Sequence, residues 1–349
     1  MLGLQKYFID FNKKIKMDYD SLSELADKRD ILLKKLRADD NLPSFDELNQ
    51  GSYSMYTGVV PLDKDYDIDV GLRFNVNKDD YDDPVDLKKQ IRDILKNHTE
   101  YGAKIKQPCV TVSYKKDGEL AYHVDLVAYC YEDKYDTSSQ MYLARGKEYS
   151  IDENKYWEKA DPKGLIDKIN NKYSDDDREQ YRRVIRYMKR WKNIKFSADG
   201  NSEPPGIGIT LLAYEKFYPS KTYDYLEKKY IYDDLEALIN FVNNIKLSFY
   251  QEYSDEKKEY LYAIEVNVPV EPHTNVFSKM SLIQMNEFKN KIDTLCSELD
   301  DVKNESDIVE QCKKLNKIFG DDFDIPEKEQ ESKKQRNFVP SSSASGCDR

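Results

Sequence analysis

The 349-residue chain is poor in several residue types that carry common chemistries. It has three histidines, five cysteines, 13 glycines and 12 prolines. Cys109, Cys130, Cys296, Cys312 and Cys347 are odd in number, far apart and form no CxxC pair. A disulfide framework and a structural zinc site are therefore excluded as organising principles, and the thiols read as reduced. The low Pro and Gly content excludes collagen-like and long low-complexity readings. No apolar run approaches the ~20 residues of a membrane helix, and the first residues, MLGLQKYFIDFNKK, lack the apolar core of a signal peptide. Positive charge is also short: 55 Lys and Arg against 66 Asp and Glu give a net charge of −11. A chain whose main task is coating nucleic acid needs the opposite balance, so no stable nucleic-acid partner and no membrane partner are expected. Neither a Walker-type phosphate loop nor a Gly-x-Ser-x-Gly elbow occurs. These absences together predict a cytoplasmic protein.

The patterning that is present divides the chain. Residues 18–38 have helical spacing, with Ser21 and Glu24 as a capping-box pair. Residues 66–74 alternate: Tyr66, Ile68, Val70, Leu72 and Phe74 share one face, and Asp67, Asp69, Gly71 and Arg73 share the other. Asp83-Pro84 opens a helix through Asn97. Strand patterns follow at 108–114 and 122–131, joined by the turn Lys116-Asp117-Gly118. After about residue 155 helical periodicity dominates, at 178–192, 206–218, 233–246, 281–299 and 307–319, interrupted by a β-like stretch at 261–268. The expected organisation is a sheet-rich lobe with an N-terminal helix over 1–155, a helical lobe over 156–325 closing a cleft, and a mobile tail over 326–349.

Three carboxylates carry the chemistry. Asp67 and Asp69 stand on the polar face of one strand, and Asp125 and His123 on the polar face of a later one, opposite Val124, Leu126 and Ala128. Crowded like charges repel, and a divalent cation reverses the sign of that problem; Mg²⁺ suits a few carboxylates combined with phosphate oxygens. Upstream lies Gly51-Ser52-Tyr53-Ser54, a turn that lets backbone amides and a hydroxyl approach a phosphate. Tyr53 and Tyr56 offer aromatic faces for a nucleobase, or cover the sheet edge.

The ordered series Gln50-Gly51-Ser52, then Asp65-Tyr-Asp67-Ile-Asp69, then His123-Val-Asp125-Leu-Val resembles the bacterial cGAS/DncV-like nucleotidyltransferases (CD-NTases). The resemblance implies an α+β, two-lobed, polymerase-beta-like nucleotidyltransferase fold, with a mixed β-sheet N-lobe and a helical C-lobe. It implies that Asp67, Asp69 and Asp125 bind two Mg²⁺ ions, with Mn²⁺ as an alternative, and that Asp125 helps activate the acceptor hydroxyl. It places Gln50, Gly51, Ser52, Tyr53 and Tyr56 near the nucleotide. In the basic helix 178–192 it points to Lys189 as the triphosphate contact, with Arg186 as the alternative. Relatives often place Ser or Gln just after the Pro204-Pro205 pair; Gly206 stands there instead, so contact would come from its amide or from Thr210. The implied activity is synthesis of a cyclic oligonucleotide, most simply a dinucleotide, from ATP, GTP or other nucleoside triphosphates. That product would serve as a second messenger in CBASS antiphage defence, with a regulatory or C-terminal conjugation partner from the same operon. A nucleotidyltransferase acting on tRNA or a protein, and a catalytically silent nucleotide-binding scaffold, are the alternatives.

Overall fold

The computed structural model describes residues 3–17, 19–63, 65–116, 119–197 and 202–327. The turn at Asp117-Gly118, the Ser21 side chain and most of the C-terminal segment lie outside the described residues.

The N-terminal half forms a seven-stranded mixed sheet. Its strands are β1 (Phe45–Gln50), β2 (Tyr66–Asn77), β3 (Ala103–Ile105), β4 (Val110–Lys116), β5 (Glu119–Tyr131), β6 (Met141–Arg145) and β7 (Tyr156–Ala160). The order is β1-β2-β5-β4-β3, with β6 joining the long β5 and β7 joining β6. Only β2 and β5 are parallel, and their register sets Asp69 beside Asp125 and Asp67 beside His123.

Helices seal one face of this sheet. α1 (Leu4–Ile15) precedes α2 (Tyr19–Arg37); a single turn, α3 (Gly51–Ser54), follows β1, and α4 (Pro84–Leu95) follows β2. Asp83 caps α4 by accepting from the Val85 N–H, as the Asp-Pro pair implies. Leu25, Leu32, Leu33 and Leu36 of α2 and Leu87, Ile91 and Leu95 of α4 pack on Ile68, Val70, Leu72, Phe74, Val124, Leu126 and Ala128. Period-2 alternation on both strands then leaves every odd-numbered position from Asp67 to Arg73, and His123 and Asp125, on the opposite face.

The second lobe is built from α5 (Pro162–Asn170), α6 (Asp175–Lys195), α7 (Gly206–Lys216), α8 (Asp234–Lys246), α9 (Leu282–Lys303) and α10 (Ile308–Phe319). Two small hairpins flank α8: β8 (Lys221–Asp224) with β9 (Lys229–Tyr232), and β10 (Tyr250–Ser254) with β11 (Glu259–Ala263). The β-like stretch expected at 261–268 is regular strand only to Ala263. Beyond it, Val266 and Val268 are held by backbone bonds to the 274–276 segment.

The first helix sits elsewhere than the expected division places it. Phe8, Phe11 and Ile15 of α1 join the helical core with Tyr187, Phe319 and Phe323, not the sheet. The Phe11 ring lies 5.3 Å from Tyr187 and 5.0 Å from Phe319. Helical spacing of 3–4 residues makes those three side chains one stripe, and the available apolar partner is the face of α6.

Phe11→Ala, which removes a ring from that junction, is expected to lower unfolding free energy by about 3–5 kcal/mol, measured by denaturant titration. A loss under about 1 kcal/mol would mean that α1 does not belong to the second core.

Candidate active site

The polar face of β2 and β5 opens onto a cavity of about 550 Å³ between the lobes. Gln50, Gly51, Ser52, Asp67, Asp69 and Tyr129 line it from the sheet side; Lys189, Lys192, Asn193, Gly206 and Thr210 line it from α6 and α7.

Gly51 is placed there by steric necessity. Its φ of +71° is left-handed, and a Cβ at this position would lie 2.0 Å from Oδ2 of Asp69. The turn can bring backbone against the carboxylate only because the residue has no side chain. Gln50, paired with Asp69 in register, accepts from the Tyr129 hydroxyl at 3.0 Å.

Burial and mutual repulsion shape the acids. The Asp69 carboxyl is pushed up to about 7, first by burial and then by the charges of Asp67 and Asp125. Asp67 sits low in the cleft although water reaches it; its carboxyl too is raised, first by desolvation and then by Asp125, with His123 and Lys106 acting the other way. The Asp125 carboxylate accepts from Thr111 Oγ1 at 2.5 Å and lies 3.8 Å from Lys106 Nζ. Among the described residues no three His, Cys, Asp or Glu side chains already converge as closely as a bound ion needs. The donor set nonetheless fits a hard cation: three carboxylates on one face, Asp67 and Asp69 raised by burial and by their acidic neighbours, with oxygen as the ligand type.

Across the cleft, Lys189 is 7% exposed. Its ammonium donates to the Thr57 carbonyl (3.1 Å) and Oγ1 (3.0 Å) and has no carboxylate partner among the described residues. Burial lowers it to about 7, with the charges of Lys192 and Arg186 adding to the effect. An anion arriving in the cavity would therefore meet a desolvated, uncompensated amine. Lys192 pairs with Glu203 at 3.0 Å. The α7 helix begins at Gly206, as the prolines imply, and a side chain at 206 would approach only Lys189, at 3.9 Å.

Not all of the expected nucleotide contacts meet here. Arg186 is engaged elsewhere: Nε donates to Asn12 Oδ1 at 2.8 Å and Nη1 to the Tyr56 carbonyl at 2.6 Å, and it does not line the cavity. Tyr53 and Tyr56 line an adjoining pocket on the other side of the Gly-Ser turn, and Arg182 stacks over the Tyr56 ring at 4.4 Å. Asn193, Tyr129 and Thr111 were not legible as site residues. Thr111 lies opposite Asp125 in the β4–β5 register, a relation that only strand pairing reveals.

A family model described as "Cyclic GMP-AMP synthase DncV-like, nucleotidyltransferase domain" matches residues 45–129, the stretch that holds Gly51, Ser52 and all three aspartates. Residues 45–129 are thus similar to a DncV-like nucleotidyltransferase domain. It is 32% identical over 173 residues to a cyclic GMP-AMP synthase of Escherichia albertii, over 47% of this chain and 35% of that relative's length. The chain thus spans about a third of the curated relative it matches. Among solved structures it is similar to apo DncV of Vibrio cholerae (TM-score 0.68, 16% identity, 92% of this chain and 96% of that one). It also resembles CdnG of Bradyrhizobium diazoefficiens in complex with GTP (0.64, 12%, 90% and 95%). A third likeness is to CdnC of E. coli MS115-1 in complex with HORMA-deltaN (0.65, 17%, 91% and 98%). The two-lobed α+β nucleotidyltransferase fold is shared. No helix among the described residues is long and apolar enough to cross a membrane.

Lys189→Met is expected to raise the melting temperature in nucleotide-free buffer and to weaken stabilisation by nucleoside triphosphate. The lysine's folded value, about 7, lies below its ordinary 10.5, so between those values the unfolded chain binds more protons and wild-type stability rises with pH. The advantage of the variant should therefore shrink from pH 7 to pH 10, read by calorimetry. A constant difference would contradict the burial of a neutral amine.

Proposed function

We propose that this chain joins nucleoside triphosphates into a cyclic oligonucleotide, most simply a cyclic dinucleotide. One observation carries the reading: Asp67 and Asp69 line a cleft, with Asp125 beside Asp69 on the same sheet face, and the far wall presents Lys189 without an acidic partner among the described residues.

The residues divide the work by position. Lys189, Lys192 and the amide end of α7 bind the donor triphosphate, and Ser52 with its neighbouring amides holds it from the sheet side. Asp125, oriented by Thr111, accepts the proton of a ribose hydroxyl. The freed oxygen forms a bond to the donor α-phosphorus while the bond to the bridging oxygen breaks, and pyrophosphate leaves with the electron pair. A second round within the linear product closes the ring. Asp67, Asp69 and Asp125 would hold two divalent cations, Mg²⁺ or Mn²⁺, which supply neutralisation of phosphate charge and acidification of the attacking hydroxyl.

The likeness to CdnG, solved with GTP, supports nucleoside triphosphates as substrates. The likeness to CdnC, solved with HORMA-deltaN, supports a regulatory protein partner. Family resemblance extends the reading to a second messenger in antiphage defence, with a regulator or C-terminal conjugation partner from the same operon.

With Mg²⁺ and labelled nucleotides, wild type is expected to release pyrophosphate and a phosphatase-resistant product. Asp67→Ala and Asp69→Asn should each lower the rate by about 10³-fold or more, on the scale of losing transition-state charge stabilisation, with melting temperature unchanged or raised as repulsion is relieved. Gly51→Ala should also disable turnover, because its Cβ displaces Asp69. Turnover surviving in Asp69→Asn would refute the assignment.

A further inference from the structure

A second cavity, of about 370 Å³, continues the same sheet face beyond the aspartates. Arg73 and Tyr131 form its floor, the turn 137–139 one wall, and Asp161, Lys163 and Glu271 the other. Arg73 lies on the Asp67-Asp69-Gly71 row of β2, and Tyr131 two residues past Tyr129 on β5. The two cavities therefore share one floor, and flanking residues of α5 border both: Pro162 the first, Asp161 and Lys163 the second.

Its charges are unevenly matched. Asp161 is occupied as the cap of α5, accepting from the Gly164 N–H at 2.8 Å, and Glu271 lies 4.0 Å from Lys159. Among the described residues, Arg73 has no hydrogen bond or ion pair, and its Nε is buried without a partner; the Tyr131 hydroxyl is likewise buried and unpartnered. A buried guanidinium N–H and a buried phenol left unsatisfied cost free energy that a ligand oxygen recovers. Ser138 and Ser139 in the turn donate to Asp136 and to the Asp133 carbonyl, so the donors left at the cavity are Arg73, Tyr131, Thr137 and Lys163, the last without an ion pair among the described residues. That set suits an oxyanion, and Arg is the residue suited to phosphate.

Resting on the proposed nucleotidyl transfer, we infer that this cavity binds the 5′-phosphates of the acceptor nucleotide, the one whose ribose hydroxyl attacks. Arg73 lies four positions beyond Asp69 on β2, about 13 Å along the strand. That separation suits an extended nucleoside triphosphate with its hydroxyl at Asp125 and its phosphates at Arg73. It also meets an electrostatic need. Two triphosphates in one cleft repel each other, and the cations of α6 serve the donor; a separate cationic anchor keeps the acceptor's charge away from the donor's.

The test separates the two nucleotides. The donor is an α-labelled 2′,3′-dideoxynucleoside triphosphate, which can give a nucleotidyl group but cannot accept one. The acceptor is either a ribonucleoside or its 5′-triphosphate. Wild type is expected to favour the triphosphorylated acceptor. Arg73→Met should raise KM for that acceptor about tenfold or more, the scale of one charge-assisted hydrogen bond, and leave KM for the unphosphorylated nucleoside and for the donor within twofold. Tyr131→Phe should act in the same direction more weakly, and Lys163→Met, at an exposed position, guards against misfolding. Equal losses for both acceptors in Arg73→Met, or unchanged discrimination in all three variants, would overturn the assignment while leaving nucleotidyl transfer standing. No labelled product from wild type with either acceptor would overturn the transferase reading, and this inference with it.

Discussion

The molecule is organised around the confinement of three carboxylates to one face of a sheet whose other face is sealed. Parallel pairing of β2 and β5 puts Asp69 directly beside Asp125, on strands about 4.8 Å apart. The acids cannot turn inward, because α2 and α4 fill the opposite side with leucine and isoleucine. Their repulsion is therefore fixed by the fold, and burial first, then that repulsion, pushes the Asp69 carboxyl up to about 7. The cleft, the glycine turn and the cations across it make chemical sense as compensation for that crowding.

One helix both completes the site and ties the lobes together. Arg186, Lys189 and Arg190 of α6 donate to the carbonyls of Tyr56, Thr57 and Val60 in turn. The segment that follows the Gly-Ser turn is thereby strapped to the second lobe, and Tyr56 is held there at a positive φ of 57°, a conformation that costs a non-glycine residue about 1–2 kcal/mol. The cation facing the cavity is thus part of the same scaffold that sets the position of Gly51 and Ser52. Binding at one end of this strap and the geometry of the turn are physically coupled.

Strands β2 and β5 were readable because they carry strong contrast: an apolar face against a polar, acidic one, over five or more residues. The long helices of the second lobe were readable for the same reason at a period of 3.6. The tyrosine-rich hairpin of β8 and β9 was not, since both faces of these strands are largely exposed and no alternation distinguishes them. Residues 4–15 carry the stripe Phe8, Phe11 and Ile15, but a stripe does not say which core receives it. Where Arg186, the alternative to Lys189, points was not legible for a related reason: on a helix buried nearly all round, a basic residue's direction depends on its neighbours, and Arg186 donates to Asn12 and Tyr56.

By itself the sequence determined which residues are acidic, which strand faces they occupy and where the chain must turn on glycine, because these follow from local periodicity and backbone sterics. The fold alone decided that Thr111 touches Asp125, that Lys189 lacks a counter-charge among the described residues, and that Arg73 and Tyr131 share a second cavity. Those facts arise from register between strands and from packing between lobes, contacts spanning up to about 130 residues in the chain, and local residue order carries no information about pairs so far apart.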